Sequence, residues 1–205
     1  MKLRSDSFDN GARLDPRLAF GAPGGGEGGN RNPHLAWSDA PAGTRSYALL
    51  CLDPDAPTDM SLAGRDDVQI PVEHPRREFV HWAVADIPAA VTGIAEGATS
   101  DGTAAKGRTS VPGPAGARQG LNGYTPSPGG QGDQDGDRWG YDGPQPPPND
   151  LRPHRYFFRV FALDVDRLDL PERFSAGEVL RMVQGHVLAE TSIYGTYALN
   201  PDVRA

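Results

Sequence analysis

Three short stretches set chemistry-bearing side chains inside apolar surroundings: Asp53-Pro54-Asp55-Ala56-Pro57, His81-Trp82, and Gly143-Pro-Gln-Pro-Pro-Pro148 running on to His154-Arg155-Tyr156. In the first, the prolines fix φ at roughly −65° and remove two donors, so the carboxylates are aimed by a stiff segment. In the third, His154 and Tyr156 are two residues apart and leave the same face of a strand. The Gly143-Pro144 turn permits close approach of backbone to a ligand. Two imidazoles, a phenol and a backbone N–H together suit a phosphate-like anion, which carries about −1.5 to −2 charge near neutrality. Histidine suits the task because a bound anion draws it into the charged form, whose hydrogen bonds are roughly twice as strong as neutral ones. Taken singly, each stretch also fits a plainer reading: a surface turn, a packed core histidine, a rigid proline-rich loop.

A carboxylate among these donors calls for explanation, since Asp53 repels phosphate. Either it accepts a bond from one imidazole and raises that ring's pKa, or it meets a cation on the ligand, such as the ammonium of an ethanolamine head group. Both accounts stand at this point. The rival from the enzyme class is a metal-dependent or His/Asp-based hydrolase using the same pocket. Against it, no His-x-x-x-His or Cys-x-x-Cys spacing occurs, no Ser or Cys stands in a nucleophile elbow, and no phosphate-binding glycine loop is present. Catalytic residues, cofactor and metal are therefore all expected to be none.

Positioning these groups requires a real core, and 205 residues with 37% hydrophobic content supply one domain's worth. The 26 glycines and 20 prolines signal long loops. A net charge of −7 argues against nucleic acid and against anionic membrane surfaces as partners. An anion site must then be local. No segment reaches transmembrane length and no apolar stretch follows Lys2 and Arg4, so a cytoplasmic protein without integral membrane association is expected. Cys51 is the single cysteine and lies in the run Tyr47–Leu52, as a small buried hydrophobe.

Leu35 and Trp37 alternate as in a half-buried strand, and 46–52 reads as a strand buried on both faces that stops at Asp53-Pro54. In the strand 78–85, alternation puts Phe79, His81 and Ala83 on one face and Val80, Trp82 and Val84 on the other. The strongest strand, 154–164, carries His154, Tyr156, Phe158 and Val160 on one face. Ser175 and Glu178 form a capping box for a helix in which Leu180, Val183 and Val187 follow at helical spacing to near Ser192, before a last strand around 193–199. Residues 58–77 are a loop insertion. From Gly107 to Pro148, 19 of 42 residues are Gly or Pro, so this is a long loop with a disordered centre over 125–138. Many strands and one helix predict a mostly β, antiparallel sandwich.

Taken in order, Asp-Pro-Asp-x-Pro, His-Trp, and Gly-Pro-x-Pro-Pro leading to His-Arg-Tyr resemble the phosphatidylethanolamine-binding protein family. Asn32-Pro-His-Leu-Ala-Trp37, Pro41-Ala-Gly-Thr44 and Gly185-His-Val-Leu-Ala-Glu190 are similar to its bacterial branch of small cytoplasmic members. The resemblance spans most of residues 30–200. It implies a Greek-key β-sandwich with an anion pocket built from Asp53, Pro57, His81, Gly143, His154 and Tyr156, supported by Asp55, Trp82, Pro144 and Arg155. It also implies a small anionic ligand (phosphate or a phosphoethanolamine-like head group of a phospholipid), a kinase or serine protease as protein partner, and a homodimer. This sequence departs from the pattern at Gln145, where bacterial relatives often carry Cys or a small residue, in the extra Pro148, and in the long insertions at 58–77 and between Tyr124 and Tyr141. Of the other histidines, His34 reads as structural, His74 as solvated and His186 as packed on the helix beside Gly185.

Overall fold

The computed structural model describes residues 1–103, 108, 111–126 and 136–203. Its strands are β1 (Lys2–Arg4), β2 (Gly21–Ala22), β3 (Gly26–Glu27), β4 (Leu35–Ser38), β5 (Ser46–Pro57), β6 (Arg76–Pro88), β7 (Gly93–Ile94), β8 (Arg118–Gln119), β9 (His154–Leu163) and β10 (Val187–Tyr197). One α-helix, α1 (Ala176–Met182), is found among the described residues.

The central sheet has the order β10-β9-β5-β6-β8, antiparallel throughout, with β5 in the middle. That place follows from composition, because the Ser46–Leu52 segment has no charged residue and is buried on both faces. One face carries Leu49, Cys51, Trp82, Phe158 and Val160 and is covered by the small sheet β1-β4-β7 through Leu35, Trp37 and Ile94. The other carries Leu50, Leu52, Ala83 and Phe161 and is covered by α1 through Ala176 and Val179. The result is sheet on sheet with a helix behind, held by side chains that each contribute about 1.5–3 kcal/mol on full burial.

The pairing corrects three sequence-based expectations. β5 does not stop at Asp53. It runs to Pro57 through a bulge, the register passing from Asp53–Phe79 to Ala56–Arg77, which takes Pro54 and Asp55 out of the ladder where a missing N–H costs nothing. The faces of β6 are also shuffled. Cys51 pairs with Trp82 and Leu52 with Val80, so His81 is an extra residue in a bulge. Trp82 and Val84 therefore join the core beside Phe158, and Ala83 turns to the opposite core, away from His81.

The helix is shorter than its apolar spacing suggests. The capping box forms as expected, with the Ser175 and Glu178 side chains each bonded to the other's backbone N–H. Yet α1 ends at Met182, and Gly185 in the left-handed region (φ 85) turns the chain into β10. Residues 187–192, assigned to the helix from sequence, pair with β9 instead, because a strand satisfies the same alternation of Val187, Ala189 and Thr191. His186 thus lies between helix and strand and bonds Asp164 at 2.9 Å. Finally, residues 127–135 of the expected disordered loop centre lie outside the described residues, but Arg138 at its end is fully buried and bonded to Asp142.

Candidate functional site: a pocket at the end of the central sheet

The ends of β5, β6 and β9 bring Asp53, His81, His154 and Tyr156 to one cavity of about 730 Å³. Phe79, Tyr124, Pro146–Pro148 and the β2–β3 hairpin form its walls. The sequence-predicted histidines, aspartate and tyrosine are brought together, with Pro57 at the rim. Each of the four is at most 3% exposed, so every polar atom has to be accounted for.

His154 is held on both sides. Its Nδ1 lies 2.7 Å from Asp53 Oδ2, and its Nε2 3.1 Å from Asp150 Oδ2. Burial alone would lower its pKa. The charges of Asp53 and Asp150, with their hydrogen bonds, prevail and raise it to about 9, so the ring is an imidazolium at neutral pH. Asp150 in turn receives Arg76 at 2.5 and 3.0 Å. Asp53 Oδ1 accepts the Asp55 N–H at 2.7 Å, the local return that the stiff Asp-Pro-Asp segment makes available. Of the two accounts left open for Asp53, the geometry contains the first, a bond from an imidazole. Both ring nitrogens of His154 thus face carboxylates.

His81 has the opposite surroundings. Its Nδ1–H donates to the Asp142 carbonyl at 2.7 Å, and Phe79, Tyr124 and Tyr156 ring it with centroids at 5.0, 5.9 and 5.0 Å. Burial pushes its pKa below the ordinary value, only partly opposed by the Asp53 charge. The ring is therefore neutral in the ligand-free pocket, and its Nε2 edge is uncommitted. The Tyr156 hydroxyl is buried and has no hydrogen-bond partner among the described residues. Burial, then the nearby Asp53 charge, push the phenol well above its usual range, which keeps the O–H as a donor.

The supporting residues divide. Asp55 takes Arg155 at 2.8 and 2.9 Å and Arg152 at 3.1 Å, and so locks the Asp-Pro-Asp segment onto β9. The Gly143 N–H is given to Asn30 Oδ1 at 2.8 Å. Glycine is required there because a Cβ would sit 2.1 Å from the Leu18 carbonyl oxygen. The Pro144 carbonyl accepts from Phe20 and Gly21 and anchors the β2–β3 hairpin beside the pocket. Trp82 points into the core, with Nε1 donating to Gln119 at 2.8 Å. Cys51 is buried there too, its thiol pushed well up by burial.

Sequence reading missed Asp142, Asp150 and Arg76. Asp142 accepts from Asn30, Asn122 and Arg138 at 2.8, 2.9 and 3.0 Å and from Arg108 at 3.2 Å, a buried knot beneath His81. The signal for Asp150 was its place four residues before His154. In a proline-rich loop that spacing carries no pattern of its own. Among the described residues no group of three or more His, Cys, Asp or Glu is disposed to hold a metal ion, and no helix is long and apolar enough to cross a membrane.

Comparison with known proteins adds an independent line. The family model of phosphatidylethanolamine-binding protein matches residues 4–198. The chain is 33% identical to the UPF0098 protein YbhB of Escherichia coli K12 over 97% of its length and all of the relative, and 33% identical to a UPF0098 protein of Aquifex aeolicus over 96% of its length and 88% of the relative. Among solved structures, E. coli YbcL, described as a new member of the mammalian PEBP family, aligns with TM-score 0.71 at 30% identity, covering 96% of this chain and 97% of that one. The Chlamydia trachomatis homologue CT736 aligns with TM-score 0.64 at 27% identity, covering 95% of each.

Proposed function

The chain belongs to the phosphatidylethanolamine-binding protein family, and we propose that its pocket binds a small phosphorylated or otherwise anionic head group. The observation that carries this reading is the Tyr156 hydroxyl, a buried donor without a hydrogen-bond partner among the described residues, on a ring that meets His81 nearly perpendicular at 5.0 Å. A donor buried at the cost of its hydration implies an acceptor from outside the chain. Asp53 does not oppose an anion there, because the His154 imidazolium beside it cancels its charge. A cavity of about 730 Å³ exceeds an inorganic anion and lies in the range that accepts a small organic molecule. The anion is therefore one end of a larger ligand, whose body lies along Phe79, Tyr124 and the proline wall.

Calorimetric titration with sulfate and with O-phosphoethanolamine tests the reading. Sulfate keeps its charge across the working range, so its pH dependence reports on the protein. Affinity is expected to fall as pH rises from 5.5 to 8.5, because the bound anion protonates His81 only while protons are plentiful. Flat affinity, or no saturable binding of either probe, removes the proposal. The wider role suggested by the likeness, a cytoplasmic homodimer that regulates a kinase or a serine protease, is proposed with it. Sedimentation of the pure chain and a protease-inhibition assay check that part.

A further inference from the structure

We infer that Asp150, which lies outside the pocket, is a positioning residue that sets the sign of ligand the pocket accepts. Held by Arg76 on one side and holding His154 on the other, it keeps a cation beside Asp53. The inference rests on the anion-binding reading and says why a site with a carboxylate in its wall can serve it.

The geometry is a buried chain of alternating charge: Arg76, Asp150, His154, Asp53. Its links are 2.5, 3.1 and 2.7 Å, and Asp150, His154 and Asp53 are at most 3% exposed. With all four ionised the chain sums to zero, and only Asp53 and His154 reach the cavity. Asp150 is itself oriented: its Oδ1 takes the Arg152 N–H at 2.9 Å and Arg76 at 3.0 Å, while Oδ2 takes Arg76 at 2.5 Å and meets His154 at 3.1 Å. Without Asp150 two buried cations would face one carboxylate. His154 is the one able to release its proton, since guanidinium does not. Asp53 would then stand in the wall without an adjacent cation, and its field would repel an anion and admit an ammonium.

The groups packed around His154 bear on its titration in different ways. Asp53 on β5 and Asp150 before β9 favour the imidazolium, and Asp150 is itself held low by His154 and Arg76 against the upward push of burial. His81 on β6 is neutral and Tyr156, stacked at 6.4 Å, keeps its proton, so neither competes. Asp55 is spent on Arg152 and Arg155. Asp150 is thus the group that can be removed without touching the pocket.

The test uses the full chain and two readouts. The first is the ligand-free titration of the His154 ring followed by NMR, in the wild type, in Asp150→Asn and in Asp150→Glu. The wild-type ring is expected to titrate near 9. Asp150→Asn is expected to bring the transition down by about one pH unit or more, which lowers the imidazolium-to-imidazole ratio by about tenfold or more. Asp150→Glu should restore it. The second readout is sulfate affinity from pH 6 to 10, where the alkaline fall should move with the His154 titration in each variant. A wild-type ring that titrates below pH 7 overturns the inference. So does a sulfate profile that stays put while the His154 titration moves. Should Asp150→Asn not fold, Arg76→Met combined with Asp150→Asn removes both buried charges together and is read the same way. Failure of sulfate to bind any form defeats the anion reading itself and is distinguishable, because the ligand-free titration stands without it.

Discussion

On the β6 side of the pocket, His81 meets a backbone carbonyl and aromatic rings. On the β9 side, His154 meets two carboxylates, one of them backed by an arginine. Both rings are almost wholly buried, so burial acts on both in the same direction. It prevails at His81, whose pKa falls, and loses at His154, whose pKa rises to about 9. The difference lies in formal charge: a carbonyl dipole offsets little of the desolvation of an imidazolium, whereas two carboxylates within hydrogen-bond reach exceed it. One pocket thus holds a ring that is cationic at neutral pH beside its own acid and a second ring that is neutral there.

The largest expected effect tests the β6 side. Asp142→Ala would remove the acceptor of Asn30, Asn122, Arg108 and Arg138 and strand buried cations. Breaking a buried ion pair on one side costs about 3–5 kcal/mol, and urea denaturation should register it. A loss below about 1 kcal/mol would mean that the knot is not what holds the Asp142 carbonyl over His81.

The next effect contrasts the two sides through pH. The folded pKa of His154 is raised above the unfolded value of roughly 6.5. Its contribution is therefore fully present below that value and is lost as pH rises toward about 9. It amounts to ~3 kcal/mol, and His154→Gln should flatten the alkaline fall in urea midpoint. His81 has the reverse sign. Its folded pKa is depressed, so stability is lost as pH drops below roughly 6.5, and His81→Asn should make the stretch from pH 6.5 to 5 shallower. If both variants change the same limb, the two sides are not electrostatically distinct.

The order of the motifs and the apolar runs made most of this legible. A buried β5, a β9 with Tyr156 beside His154, and the Ser175–Glu178 cap all follow from residue type and spacing. Two things did not. A bulge shifts the faces of β6 at His81, and alternation counted along one strand cannot show an extra residue opposite its partner. The partners of the histidines, the Asp142 carbonyl and the Asp150 carboxylate, lie in and just after the proline-rich loop, where no periodicity marks which group turns inward. Gly143 shows the same blind spot from the other direction: its close approach to Leu18 and its bond to Asn30 depend on distant residues that no local motif marks.

The smallest effect on the fold is the sharpest on the pocket. Tyr156 stands between the two histidines, and its hydroxyl has no hydrogen-bond partner among the described residues. Tyr156→Phe removes that atom and keeps the ring. Stability should hold within about 0.5 kcal/mol or rise, since a desolvated donor without a partner is lost and no bond is broken. Sulfate affinity should fall by about tenfold, because a hydrogen bond to a charged group is worth about 1.5–3 kcal/mol and each 1.4 kcal/mol is tenfold. A marked loss of stability with unchanged affinity would make Tyr156 a packing residue and leave the anion to His81 alone. The predicted split, with affinity lost and stability kept, would tie the hydroxyl to the ligand, because a packing role alone moves stability and leaves affinity in place.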